Sequence, residues 1–207
     1  MRATWYERLG PAAEVLQVGE QPTPAAAPGE VRVKLHASGV NPADVKRRSG
    51  LGRYTAMDGP LVIPNSDGAG VIDQVGAGVD SRLIGQRVWL YNGQRGGRTH
   101  GTGAEYIALD AGLVTPLADT VSFGAGACLG IPCMTAHYGV FSDGPVKGLI
   151  VLATGGAGAV GHYAVQLASW GGARVIATVS GPEKAAEAEA AGAAATINYR
   201  QQDVGQA

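Results

Sequence analysis

The chain has 207 residues, of which 33 are Gly and 11 are Pro, about a fifth of all positions and below the ~25–30% of aperiodic low-complexity sequence. Hydrophobic residues at 45% against 16% charged describe a globular chain with a buried core, and the length predicts one large or two small domains. A net charge of −1 argues against a nucleic-acid or anionic-membrane role that rests on bulk charge. No apolar run reaches the ~18–20 residues of a membrane span. The segment Met1–Arg8 meets charges too early for a secretory signal. Two cysteines, Cys128 and Cys133, are too few for a disulfide scaffold, so a cytoplasmic protein is expected.

In chain order, Val31–Ala37 alternates apolar and polar residues, as a half-buried antiparallel strand does. Val71–Val75, Arg87–Tyr91 and Ala104–Leu109 are further strand candidates, punctuated by Gly76-Ala77-Gly78, Gly93 and Gly96-Gly97. Several short strands at such spacing predict a small barrel or sandwich. Ser122–Gly148 is Ala/Gly-rich and has no strand period. The pattern then changes. Gly148–Thr154 is a nearly unbroken apolar run, which predicts a parallel-sheet strand covered on both faces. A helix from Val160 to Trp170 follows, with Val160, Ala164, Leu167 and Ala168 expected on its buried face. Arg174–Val179 reads as a second buried strand. A further helix begins near Ser180–Glu183, either by a Ser180/Glu183 capping box or with Gly181 as cap and Pro182 first. It ends at Gly192, and Ala195–Tyr199 is a third strand. The order βαβαβ implies a doubly wound parallel sheet.

Between the first strand and helix of that unit, Gly156, Gly158 and Gly161 form G-x-G-x-x-G. Alone the match is weak; between a buried strand and a helix it marks a dinucleotide cradle. Glycines let the backbone approach a diphosphate, and the free N–H groups and dipole of a helix start favour the anion. The cradle comprises Gly155, Gly156, Gly158, Ala159, Val160 and Gly161. NAD-binding chains carry Asp or Glu about 20 residues further on, on the ribose. From His162 through Pro182 there is no carboxylate, so a 2′-phosphate is admitted and NADPH is the expected cofactor. Ser180, Lys184 and the Tyr199 hydroxyl are the candidates to hold that phosphate.

Further segments carry a resemblance. Gly39–Gly50, Ile63–Val71, Gly130–Ala136, the glycine-rich turn and Asn198-Tyr199-Arg200 together resemble the quinone oxidoreductase (zeta-crystallin-like) branch of the zinc-independent medium-chain dehydrogenases/reductases. The likeness runs over nearly the whole chain. It implies an α/β plus β fold: a GroES-like β-barrel catalytic domain over 1–122, then the first half of a Rossmann NADPH-binding domain over 123–207. It also implies hydride transfer to a quinone or similar small electron-poor acceptor, no zinc, no nucleic-acid or membrane partner, and a homodimer at full length. Asn41 and Thr135 match polar groups near the nicotinamide. Tyr54 is the catalytic candidate in place of tyrosines displaced here, since Lys46 stands at one of those positions. Asp44 and Arg48 are expected to form a structural ion pair. Asn41, Asn65-Ser66-Asp67 and Pro132 occupy the positions of the zinc ligands of related enzymes. One βαβαβ half is present where a dinucleotide fold has two, which suggests a fragment or a truncated protein. Two other readings keep the same cradle: a reductase of enone or enoyl-thioester C=C bonds, and a non-catalytic NADPH-binding protein.

Overall fold

The computed structural model describes residues 1–206, the side chain of Arg95 excepted. They fall into two compact units, Met1–Ile131 and a second from Pro132 onward. In the first, β1 (Arg2–Trp5), α1 (Ala12–Val15) and β2 (Gln17–Glu20) precede β3 (Glu30–Gly39), α2 (Pro42–Ser49) and β4 (Asp67–Val75). β5 (Arg87–Leu90), β6 (Tyr106–Asp110), β7 (Val114–Pro116) and the short helix α3 (Phe123–Gly126) follow. Five strands form an antiparallel sheet in the order β6-β3-β4-β5-β7, and β1 pairs with β2 as a separate ribbon.

The period-two pattern of β3 sets its burial. Val31 and Val33 enter a core with Ile72, Val88, Leu90, Ile107 and Leu109, while Lys34 is exposed. On the opposite face Arg32 meets Asp73 through two hydrogen bonds of 2.9 Å. Shifts of register at Arg32/Val33 and Leu35/Ala37 bend the strand. α3 packs on β3 and β4, which keeps residues 123–131 with the first unit.

The second unit runs α4 (Met134–Phe141), β8 (Ile150–Ala153), α5 (Ala159–Trp170), β9 (Arg174–Val179), α6 (Pro182–Ala190) and β10 (Ala195–Asn198). The strands are parallel, in the order β10-β9-β8. Ala153, Val175, Ala177 and Val179 share one core with Val165 and Ala168 of α5 and Ala188 of α6.

Several expectations need correction. β8 is not covered on both faces: Ile150 is 69% and Leu152 51% exposed, because α5 and α6 both pack on the Ala153 side of the sheet. The inward face of α5 is Gly161, Val165 and Ala168, whereas Val160 is 41% exposed. The helix is rotated because Gly161 fits against the Gly155 carbonyl, a contact no larger residue makes. Of the two starts expected for α6, the one with Pro182 first behind Gly181 is found, without a Ser180 side-chain cap. β1, β2 and β7 are three or four residues long, too short for a periodic signal. α2 has five polar residues in eight and shows no apolar stripe. Among the described residues no helix is long and apolar enough to cross a membrane.

Candidate functional site

The chain leaves β8 through a turn at 154–158 and enters α5 at Ala159, with Gly158 as cap. Gly155 has φ +64°, a left-handed conformation that favours glycine. Three loop donors are spent internally: Gly155 N–H on Thr178 Oγ1 at 3.0 Å, Gly156 N–H on the Thr178 carbonyl at 2.9 Å, and Gly158 N–H on the Gly155 carbonyl at 2.7 Å. His162 N–H closes the first helical bond, on Gly158 O at 2.8 Å. The N–H groups of Ala159, Val160 and Gly161 therefore form the first turn with no intrahelical acceptor. A Cβ on Gly156 would lie 2.6 Å from Ala177 Cβ, and one on Gly161 2.1 Å from the Gly155 oxygen. Gly158 is exposed and keeps the space in front of these donors clear. The corner fits a diphosphate: close backbone, unspent N–H groups and the positive end of a helix dipole. Thr178, 5% exposed, orients the turn and went unnoticed in the sequence. Its signal is a hydroxyl one residue before the end of a strand that is otherwise apolar after Arg174.

Beyond the end of β9 a cleft of about 310 Å³ is lined by Ser180, Gly181, Pro182, Glu183, Lys184 and Arg200. Two cations against one carboxylate leave it net positive. Arg200 takes the place expected of Tyr199, which is 50% exposed and outside the lining. Tyr199 contributes its backbone N–H to Val179 O at 3.1 Å. Asn198 turns the chain towards Arg200 by accepting its N–H at 3.1 Å. Alternation along β10 gave no hint of Arg200, because this turn breaks the period.

Asn41, in the first unit, is 7% exposed at the start of α2. Its Nδ2 donates to Asp67 Oδ2 at 2.8 Å. With Asp44 it forms a capping box: the Asp44 carboxylate accepts Asn41 N–H at 2.8 Å and the Asn41 side chain faces the Asp44 N–H. Asp44 also accepts from the Ser66 hydroxyl at 3.0 Å. Burial raises the Asp44 pKa, against the pull of those donors. Burial pushes Asp67 up to about 6, although Ile131 N–H, at 2.7 Å, and Asn41 favour its charged form; the charge of Asp44 adds to the rise. The expected Asp44–Arg48 ion pair is absent, because Asp44 is spent on the cap while Arg48 donates to the Gly10 carbonyl.

Tyr54 lies between two guanidinium groups, with Arg47 at 5.4 Å and Arg53 at 5.1 Å from its ring centre, and Arg53 donates to its hydroxyl at 3.1 Å. Thr135 is exposed on α4 in the second unit. A cavity of about 590 Å³ in the first unit is lined by Leu35, Ser38, Val40, Val45 and Arg48 among others, and neither Asn41 nor Tyr54 lines it. Among the described residues no group of three or more His, Cys, Asp and Glu is gathered as a metal site.

Residues 27–119 match the alcohol dehydrogenase GroES-like domain family, and residues 159–207 match the zinc-binding dehydrogenase family. A quinone oxidoreductase of Rattus norvegicus is 35% identical over 179 residues, which cover 86% of this chain and 52% of that protein. The solved quinone oxidoreductase of Escherichia coli complexed with NADPH superposes with a TM-score of 0.81 at 28% identity, over 99% of this chain and 60% of that one. The chain belongs to the quinone oxidoreductase branch of the medium-chain dehydrogenases/reductases. As a member of that branch it joins a GroES-like unit to the first half of a Rossmann sheet. A 2-methylene-furan-3-one reductase of Solanum lycopersicum is 36% identical over 157 residues, covering 73% of this chain and 40% of that enzyme. The chain thus spans about half the length of the curated relatives it matches.

Proposed function

We propose that the chain carries the catalytic unit and the diphosphate-gripping half of an NADPH-dependent, zinc-independent oxidoreductase that passes hydride to a quinone or similar electron-poor acceptor. The observation that carries this reading is the corner 154–161, where three consecutive first-turn N–H groups stand unspent behind an exposed glycine. NADPH, when bound, supplies the hydride from its nicotinamide. The chain's own residues bind and orient. The N–H groups of Ala159, Val160 and Gly161 hold the diphosphate, while Ser180, Lys184 and Arg200 hold the additional phosphate. Asn41 of the first unit and, independently of it, Thr135 of the second are the polar groups assigned to the reaction. An NADPH complex in the Escherichia coli relative supports the cofactor, and the name of the rat relative supports the acceptor. Reduction of a conjugated C=C bond is a second reading, favoured by the tomato relative and by an alkenal/one oxidoreductase of Arabidopsis thaliana. Steady-state rates with a quinone and with an enone separate the two. A cytoplasmic location belongs to the same proposal.

Calorimetric titration with NADPH and NADH tests the phosphate clamp. NADPH is expected to bind at least about tenfold more tightly. Lys184→Ala and Arg200→Ala should each lower NADPH affinity about tenfold, as loss of one charge-assisted bond does, and leave NADH within about twofold. Equal affinities for the two nucleotides would defeat the assignment. Tight NADPH binding without turnover of any acceptor would mark a nucleotide-binding protein instead.

A further inference from the structure

We infer that Glu183 is a specificity-determining residue of the cleft beyond β9: its carboxylate opposes a 2′-phosphate and accepts from a ribose hydroxyl, and so restrains the preference for NADPH over NADH. This rests on the reading that the cleft takes the additional phosphate of the nucleotide. The acid that marks NAD-binding chains is missing from His162 through Pro182. The next residue is Glu183, and it lines the cleft of about 310 Å³ together with Ser180, Lys184 and Arg200. A carboxylate therefore stands in a site whose strand end offers none.

The start of α6 brings it there. β9 stops at Val179, Gly181 is extended and Pro182 opens the helix, so Glu183 is its second residue. A negative charge in the first turn is favoured by the helix dipole, which is reason enough for an acid at this position. In the cleft the same charge also meets the ligand. Among the described residues no ion pair joins Glu183 to Lys184 or Arg200, so neither cation takes up its charge at close range. An ionised carboxylate has acceptors and no hydrogen to give. A ribose 2′-hydroxyl can donate to it, whereas a phosphate dianion cannot and is repelled. Glu183 and Lys184 are both exposed, so the repulsion acts through solvent and is screened by salt.

Glu183→Gln removes the charge at the same size, and Glu183→Asp keeps it. Calorimetry of the whole chain with NADPH, NADH and 2′-AMP reads the effect without any need for turnover. At about 20 mM salt, Glu183→Gln should bind NADPH and 2′-AMP about three- to fivefold more tightly and NADH about twofold less tightly. At about 0.5 M salt the gain should fall below about twofold. Glu183→Asp should stay within about twofold of the wild type for all three. Equal tightening of NADH and NADPH in Glu183→Gln would trace the gain to net charge and overturn the inference. So would an unchanged preference between the two nucleotides when the wild type binds 2′-AMP. A wild-type chain that leaves 2′-AMP unbound refutes the cleft as a phosphate site and, with it, the role of Glu183.

Discussion

Asp67 is 1% exposed and its pKa is pushed up to about 6 by burial, whereas in an unfolded chain it would titrate near ~3.9. The sign of the linkage follows. Below about pH 4 the group is neutral in both states and carries no penalty. Between about pH 4 and 6 the unfolded chain releases its proton first, so stability falls as pH rises. Above about pH 6 the full cost stands, about 3 kcal/mol at most for two pKa units. Asp67→Asn keeps an oxygen for Asn41 and Ile131 and removes the charge. It is expected to be more stable than wild type by about 1–3 kcal/mol at pH 7.5, with the two converging near pH 4, as read from urea unfolding at each pH. A difference that stays constant with pH would assign the effect to packing.

At the scale of elements, the β8–α5 corner separates two uses of glycine. Gly161→Ala would place a methyl 2.1 Å from the Gly155 oxygen, so the turn must open. A loss of about 1–3 kcal/mol in stability is expected, together with nucleotide binding. At Gly158 an added Cβ meets only the Gly155 oxygen, at 3.2 Å, but it stands in front of the donors. Gly158→Ala should keep its melting temperature within a few degrees, a shift of about 0.5 kcal/mol, and weaken NADPH about tenfold. Equal nucleotide affinity in Gly158→Ala would show that the diphosphate does not approach there. This corner was legible in the sequence because its parts are local: an apolar strand, a glycine spacing and a helix within 20 residues. The Asn41–Asp44–Ser66–Asp67 network was not. Its bonds join α2 to the start of β4 and to Ile131, 64 residues beyond Asp67, and no periodicity links polar residues at such separations. Arg200 stands in the Asn198-Tyr199-Arg200 motif, but its place in the cleft depends on a turn pinned by the Asn198 side chain.

For the molecule as a whole, a net charge of −1 gives little repulsion between copies, and the second unit carries exposed apolar surface. Leu149, Ile150 and Leu152 are 54%, 69% and 51% exposed, on and beside a strand paired on one side only. An apolar face next to an unpaired strand edge favours association. Sedimentation velocity should therefore show a weight-average mass that rises with protein concentration. The double variant Ile150→Thr/Leu152→Thr tests the source. Threonine keeps the strand preference, and both side chains point away from the core that Ala153 shares with α5 and α6. The variant should shift towards monomer with NADPH affinity unchanged within about twofold, since the diphosphate corner lies beyond the end of the strand. Association as strong as in the wild type would place the sticky surface elsewhere, with Tyr138 and Trp170, 75% and 81% exposed, the next positions to substitute.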